Sequence, residues 1–347
     1  MYKSMIDKLM RCRQYVKASD ISCDLTKDKW GVMLLNMGGP NTLDDIEPYL
    51  YNLFCDRNII QLPLSFILQK PLAKFISSRR AAKVQERYKL IGGSSPQLKW
   101  TQIEAESMIE HLKDKFPQVK SYIGMRYSEP FIEDAFQQAN KDGCKHMFLL
   151  PLYPHYTIAT TGTSFNAAAE WLEKFNPEMS VSMISHWHKH PDYISLVKKN
   201  INGAFDKTSN KDSAQLLFSA HSLPSKLIEQ GDPYETQINE TVRLAGEGYD
   251  YLLSYQSQTG PVKWLGPSTP DVIREIASRG KKEIVIMPVS FVSDHIETLY
   301  EIDIEFKQYA EEAGIKNFIR TESFNDDPEF GKLLATLVKE HIAGVLK

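Results

Sequence analysis

Leu216-Leu217-Phe218-Ser219-Ala220-His221-Ser222-Leu223-Pro224 is the stretch that decides the fold. Its apolar run is short enough for a strand buried on both faces, and Pro224 keeps it from continuing as a helix, so His221 leaves the carboxyl end of a parallel strand. Ligands bind at that edge in open α/β sheets. Glu283-Ile284-Val285-Ile286-Met287-Pro288-Val289 has the same character. It leads into Asp294-His295-Ile296-Glu297-Thr298-Leu299-Tyr300-Glu301-Ile302-Asp303-Ile304-Glu305, so a histidine and a stripe of acids emerge at one sheet edge.

Similar runs recur at residues 32–36, 121–124, 146–150, 181–184, 216–218, 251–255 and 284–289, with longer helical stretches between most of them. That alternation predicts βαβ units and parallel sheets. A boundary near residue 190 then gives an extension over 1–29, an α/β domain over 30–190, a second over 191–325, and a C-terminal helix within 326–347 able to pack on either. No internal sequence repeat stands out.

The 347 residues are 42% hydrophobic with a formal net charge of −3, which supports sizeable cores and argues against a nucleic-acid footprint. The partner to look for is a small molecule. Cys12, Cys23, Cys55 and Cys144 form no C-x-x-C pair, so neither a disulfide framework nor a thiolate zinc site is suggested. No window approaches the roughly 20 apolar residues that span a bilayer. Lys3, Lys8, Arg11, Arg13 and Lys17 faintly resemble a targeting segment, against which stand Asp7 and Asp20.

Glu297, Glu301 and Glu305 are four apart and share one sector of a helix with Asp294. Taken alone such a stripe is a solvated face, since like charges at this spacing repel by only a few tenths of a kcal/mol. After a buried strand it can instead bind or pass a divalent cation. In a regular helix, however, His295 lies on the far side from Glu297. The two cooperate only if His295 precedes the helix or if the helix carries a π-type turn.

His186, His188 and His190 alternate and could share a face, but at the proposed domain boundary they read as a surface loop. Glycine loops occur at Gly38-Gly39, Gly92-Gly93 and Gly162, without the spacing or lysine of a nucleotide site. The apolar lip at residues 62–76, followed by Arg79, Arg80, Lys83 and Arg87, suits a membrane surface, an apolar ligand with acidic substituents, or an ordinary core-facing helix.

Asn36-Met37-Gly38-Gly39-Pro40, Ile91-Gly92-Gly93, Gly124-Met125-Arg126-Tyr127, Phe218 to Pro224, Gly231-Asp232-Pro233-Tyr234, Gln256-Ser257 through Trp264-Leu265-Gly266-Pro267, and Ser293 to Glu301 together resemble ferrochelatase, in order from about residue 30 onward. The resemblance implies an α/β fold of two Rossmann-like chelatase domains, each a parallel sheet flanked by helices, with the active-site cleft between them. It implies insertion of ferrous iron into protoporphyrin IX to give haem and two protons. The alternatives are a porphyrin- or haem-binding protein without turnover, or a chelatase for another metal or tetrapyrrole.

The resemblance also assigns residues. His221 is the proton acceptor and Glu297 its partner, and the acids' helix, which has π character in the family, makes a metal or proton path of His221, Glu297, Asp294, His295, Glu301 and Glu305. Met37, Tyr88, Ser95, Arg126, Tyr127, Tyr234, Ser257, Trp264 and Phe291 line the porphyrin, with Arg80 near its propionates. Iron and protoporphyrin are substrates, and no cofactor is tightly bound. The chain ends at Lys347 without the cysteine-bearing tail of animal members, and Ile158 stands where those place another cluster ligand, so no iron–sulfur cluster is expected. Eukaryotic members imply a homodimer on the matrix side of the mitochondrial inner membrane, and bacterial ones the cytoplasm or peripheral membrane contact. Residues 241–255, with Gly246 and Gly248, look shorter than the family counterpart, which predicts a curtailed helix there.

Overall fold

The computed structural model describes residues 2–59 and 65–345. Leu62, Pro63 and Leu64 of the apolar lip lie outside the described residues, as do Leu346 and Lys347 at the end of the 326–347 segment. The chain divides into two compact units, Met1–His186 with Asn325–Lys347, and Trp187–Phe324.

The first unit holds β1 (Trp30–Asn36), β2 (Val119–Met125), β3 (His146–Pro151) and β4 (Ser180–Met183) in the order β2-β1-β3-β4, all parallel. The second repeats this topology with β5 (Ala214–His221), β6 (Tyr251–Gln256), β7 (Glu283–Pro288) and β8 (Asn317–Arg320) in the order β6-β5-β7-β8. Strand order reverses direction at β1/β3 and at β5/β7, and at such points the carboxyl ends of neighbouring strands open a crevice. The central strands β1, β3 and β7 are buried throughout, and β5 is buried up to His221, as continuous apolar runs flanked on both faces require. β8 is a strand that the sequence pattern did not reveal. It is a four-residue edge of intermediate burial.

The 1–29 extension belongs in part to the first core, which corrects its reading as a separate segment. Helix Tyr2–Arg11 buries Leu9 among Phe165, Ala169 and Leu172, and Lys8 reaches Asn166 and Glu170 at 3.0 and 3.1 Å. Gln14 and Val16 exchange backbone hydrogen bonds of 2.8 Å with Val181, covering the outer edge of β4. The C-terminal helix Pro328–Ile342 packs on helix Gln97–Lys113 of the same unit, so of the two options the first domain takes it.

The described part of the lip, from Ser65 onward, and the basic cluster run along one helix, Ser65–Leu90. Gln69, Ala73, Ser77, Ala81 and Tyr88 turn inward, while Leu68 and Phe75 face solvent. In the second unit, helix Tyr234–Ala245 ends where Gly246 begins, and Gly248 takes a φ of +89°. A Cβ on Gly246 would come within 2.6 Å of the Tyr251 ring. The glycines therefore terminate the helix and let the chain fold back into β6; neither weakens its interior.

Two further expectations change. His188 is buried and its Nε2 meets Glu240 at 2.6 Å, and His190 is buried and caps helix Pro191–Phe205 by accepting from the Asp192 N–H. His188 and His190 are thus interior anchors of the second unit and not a surface loop, whereas half-buried His186 belongs to the first unit.

Candidate active site

His221 is the last residue of β5, beside Gln256 at the end of β6 and at the edge where β5 and β7 diverge. Its backbone is held from two sides. The N–H donates to Ser290 Oγ at 3.0 Å, and the Tyr234 hydroxyl donates to its carbonyl at 2.8 Å while lying 2.6 Å from the same Ser290 Oγ. The Tyr234 hydroxyl, expected against the porphyrin, is thus engaged in fixing the strand end. Ser290 is a functional position that sequence reading missed, with no local signal beyond its place after a buried strand.

Phe291 stands edge-to-face with both histidines, its centroid 5.9 Å from that of His221 and 4.2 Å from that of His295. His295 precedes the helix proper. The segment Glu297–Phe306 then winds as a π-helix, so both devices for reconciling His295 with Glu297 are present. Their side chains meet at 3.6 Å, Nε2 to Oε2, and His295 is buried with no hydrogen-bond partner on either ring nitrogen.

Burial pushes the His221 imidazole below its ordinary pKa; Glu297 opposes that shift and His295 adds to it. His295 is depressed in the same way, chiefly by burial, with Glu297 and Asp294 pulling upward. Both rings are therefore neutral near pH 7, where an imidazole can accept a proton.

Glu301 lies one step along the π-helix from Glu297. Its Oε1 accepts from the Ser257 N–H at 2.7 Å, and Oε2 accepts from the Ser257 hydroxyl and, at 3.1 Å, from Gln256 Nε2. Ser257 achieves this with a φ of +65°, a left-handed conformation unusual for a non-glycine residue and maintained by its surroundings. Burial, more than these hydrogen bonds can offset and with Glu297 adding repulsion, raises Glu301 to about 7.

The six-residue metal assignment is not assembled as one ligand set. Among the described residues no three of His, Cys, Asp and Glu converge as a group that could hold a metal ion. Asp294 is turned away: its Oδ1 accepts from Ser323 Oγ at 2.8 Å and from Thr298 Oγ1 and Arg320 Nη1 at 3.0 Å. Glu305 lies further along, with the Tyr309 hydroxyl at 3.5 Å. Of the six, His295 and Glu297 are the pair in contact, and His221 and Glu301 lie near enough to feel the charge of Glu297. Trp264 pairs with Pro224 through an antiparallel bridge, and its indole N–H is buried without a partner.

The first unit carries the other assigned residues. Arg126 Nη2 and the Tyr127 hydroxyl both donate to Asp56 Oδ2, at 2.7 and 2.9 Å, Thr163 donates to the same oxygen, and Arg126 Nε donates to Thr163 Oγ1 at 2.9 Å. Tyr127 is buried and its hydroxyl is committed to Asp56, a residue that sequence reading did not single out. Met37, just past β1, accepts at its carbonyl from the Tyr127 N–H at 2.9 Å. Ser95 packs where Gly39 has no side chain, since a Cβ there would fall 2.5 Å from that of Ser95. Tyr88 is buried beside them, and exposed Arg80 sits over the Phe54 ring with its guanidinium carbon 5.6 Å from the centroid.

Comparison with known proteins agrees with the motifs. The ferrochelatase family model matches residues 29–342. A ferrochelatase of Picosynechococcus sp. is 44% identical over 319 residues, covering 90% of this chain and 82% of its own. That of Thermosynechococcus vestitus is 44% identical over 321 residues, with coverage of 90% and 82%. Among solved structures, SirB from Bacillus subtilis with Fe3+ aligns over 91% of this chain and 96% of its own, with a TM-score of 0.54 at 13% identity, a likeness of fold.

Proposed function

The chain belongs to the ferrochelatase family, and from that premise we propose that it inserts ferrous iron into protoporphyrin IX through His221 as the proton acceptor. A planar porphyrin hides its nitrogen lone pairs and carries two N–H protons. Metal entry therefore needs a ring held out of plane and a base to take the protons as iron arrives. The observation that carries the assignment is the placement of His221 at the end of β5, where burial lowers its pKa and Glu297 is near enough to favour its protonated form. Phe291 and Trp264 offer flat apolar surface in the second unit, and family resemblance assigns ring and propionate contacts to Arg126, Arg80, Tyr88, Ser95 and Met37.

Once protonated, His221 can pass its proton toward Glu297, and Glu301 beyond it is poised to exchange one near neutral pH. Glu297 and His295 are the pair proposed to meet the incoming metal.

The reading includes no iron–sulfur cluster. In its support, the Cys144 thiol lies 3.1 Å from the Tyr122 hydroxyl, and that of Cys12 lies against the Lys8 and Ala169 carbonyls. Iron and sulfide analysis tests this. No helix among the described residues is long and apolar enough to cross a membrane. Peripheral contact is proposed through exposed Leu68 and Phe75, the latter beneath Arg79 at 4.8 Å, and vesicle co-sedimentation tests it. A homodimer is proposed from family membership and is tested by sedimentation equilibrium. The relatives compared are cyanobacterial, and a mitochondrial location forms no part of the proposal.

The deciding experiment is anaerobic insertion of ferrous iron into protoporphyrin IX, followed by absorbance, beside a porphyrin titration. Turnover in the unsubstituted protein, lost in His221→Ala with porphyrin binding retained, is expected. Binding without turnover in the unsubstituted protein would overturn the proposal.

A further inference from the structure

We propose that Arg320, at the end of β8, is a positioning residue that clamps the π-helix in the winding that brings Glu297 and Glu301 to the site. The inference rests on the chelatase reading of that site. An i→i+5 ladder is rare beside the α-helix, so ten consecutive residues in it need a tether from outside.

Arg320 supplies one. Its Nε and Nη2 donate to the two oxygens of Asp303 at 2.8 and 2.9 Å, a bidentate fork, and Nη1 donates to Asp294 Oδ1 at 3.0 Å and to the Thr321 carbonyl and Ser323 Oγ at 3.3 Å. The side chain is 13% exposed and Asp294 is 15% exposed, so that arm is little screened by water, while Asp303, at 36%, is the more exposed partner. Asp294 precedes Glu297 and Asp303 follows Glu301, so the fork grips both ends of the turn carrying the two glutamates and donates to neither. Thr298 completes the grip, its hydroxyl donating to Asp294 and accepting from the His295 N–H at 3.1 Å. One guanidinium thus ties Asp294, just ahead of the π-helix, and Asp303, within it, to an edge strand.

Lysine is a point charge on a flexible stem and cannot span both acids with paired bonds. Arg320→Lys and Arg320→Ala are therefore compared with the unsubstituted protein. The readouts are kcat, metal KM, porphyrin affinity, and hydrogen exchange across residues 297–306. A glutamate displaced by even an ångström or so lowers turnover steeply, so a drop in kcat of about tenfold or more is expected in Arg320→Lys. Porphyrin affinity should stay within about twofold, and amide protection across 297–306 should fall. Added guanidinium at millimolar concentration should restore part of the kcat of Arg320→Ala, a rescue that a general loss of stability does not produce.

If Arg320→Ala does not fold, Asp303→Asn removes one arm of the clamp with little change of shape, and the same fall in kcat and protection is expected to a smaller degree. Folded variants with unchanged protection across 297–306 would overturn the proposal, as would unchanged kcat where the unsubstituted protein turns over. Absence of turnover in the unsubstituted protein defeats the chelatase reading instead, and hydrogen exchange still decides whether the clamp exists.

Discussion

Glu301 Oε1 sits 2.7 Å from the Ser257 N–H, on a backbone bent to a φ of +65°, and yet burial leaves this carboxyl titrating at about 7. A carboxyl at 4.5 in the unfolded chain and about 7 in the folded one binds more protons folded than unfolded between those values. Stability therefore falls as pH rises through that window, by up to about 1.4 kcal/mol per pH unit from this group. Glu301→Gln removes the penalty and keeps an acceptor for Ser257. Urea denaturation at about pH 5 and about pH 8 should show the variant gaining on the unsubstituted protein at the higher pH, while kcat for iron insertion drops several-fold. Equal stability differences at the two pH values would refute the buried-carboxyl account.

Glu297→Gln removes the charge that pulls the His221 pKa upward against burial and His295. The base then becomes less basic, so the acid limb of the kcat/KM profile should move to lower pH while kcat itself falls by about 10²-fold, as for loss of a general acid–base group. A limb that stays in place would show that His221 does not titrate under the influence of Glu297.

The catalytic edge was legible in the sequence because its strands are buried on both faces. Leu216 to Phe218 and Ile284 to Met287 give continuous apolar runs, and a histidine and acids beyond them fall at strand ends by necessity. Even the π-helix was foreshadowed, because Glu297 and His295 could not share a face of an α-helix. Long-range partners were not legible. Glu240 lies 52 residues from His188, so no local pattern could show that His188 is a buried, paired side chain. Asn317 to Arg320 form a half-buried edge strand with one charged end and no apolar run, so β8 was missed and Arg320 with it. Gly246 and Gly248 were noticed, but whether a glycine interrupts a helix or ends it depends on where the chain turns next.

His146, in β3, is wholly buried, with its ring nitrogens 2.8 Å from Ser180 Oγ and 3.0 Å from Ser182 Oγ. Burial first, and His341 second, push it down to about 3 from an ordinary 6.5. The unfolded chain then binds the extra proton between those values, so stability is lost as pH falls below 6.5, by up to about 1.4 kcal/mol per pH unit. Urea midpoints measured from about pH 7 to about pH 5 should decline, and His146→Asn should flatten that decline while lowering stability at pH 7. A variant that follows the unsubstituted protein at every pH would place the acid sensitivity elsewhere.

Asp56, with its side chain 2% exposed, holds Arg126, Tyr127 and Thr163 on one oxygen and the Asn58 N–H, at 2.8 Å, on the other. Asp56→Asn must turn an amide N–H₂ toward one of these donor sets, leaving buried donors facing each other and Arg126 without its counter-charge. Breaking such a buried pair costs about 3 kcal/mol. Tyr127→Phe removes one of the donors that Asp56 satisfies, so in the double variant the two losses should fall short of additive by about 1 kcal/mol. Porphyrin affinity should weaken in Asp56→Asn, because an untethered Arg126 no longer presents a fixed guanidinium, and it should be nearly unchanged in Tyr127→Phe. Additive losses of stability would show that the three donors do not act as one network, and undiminished porphyrin affinity in folded Asp56→Asn would remove Arg126 from the ring-binding residues.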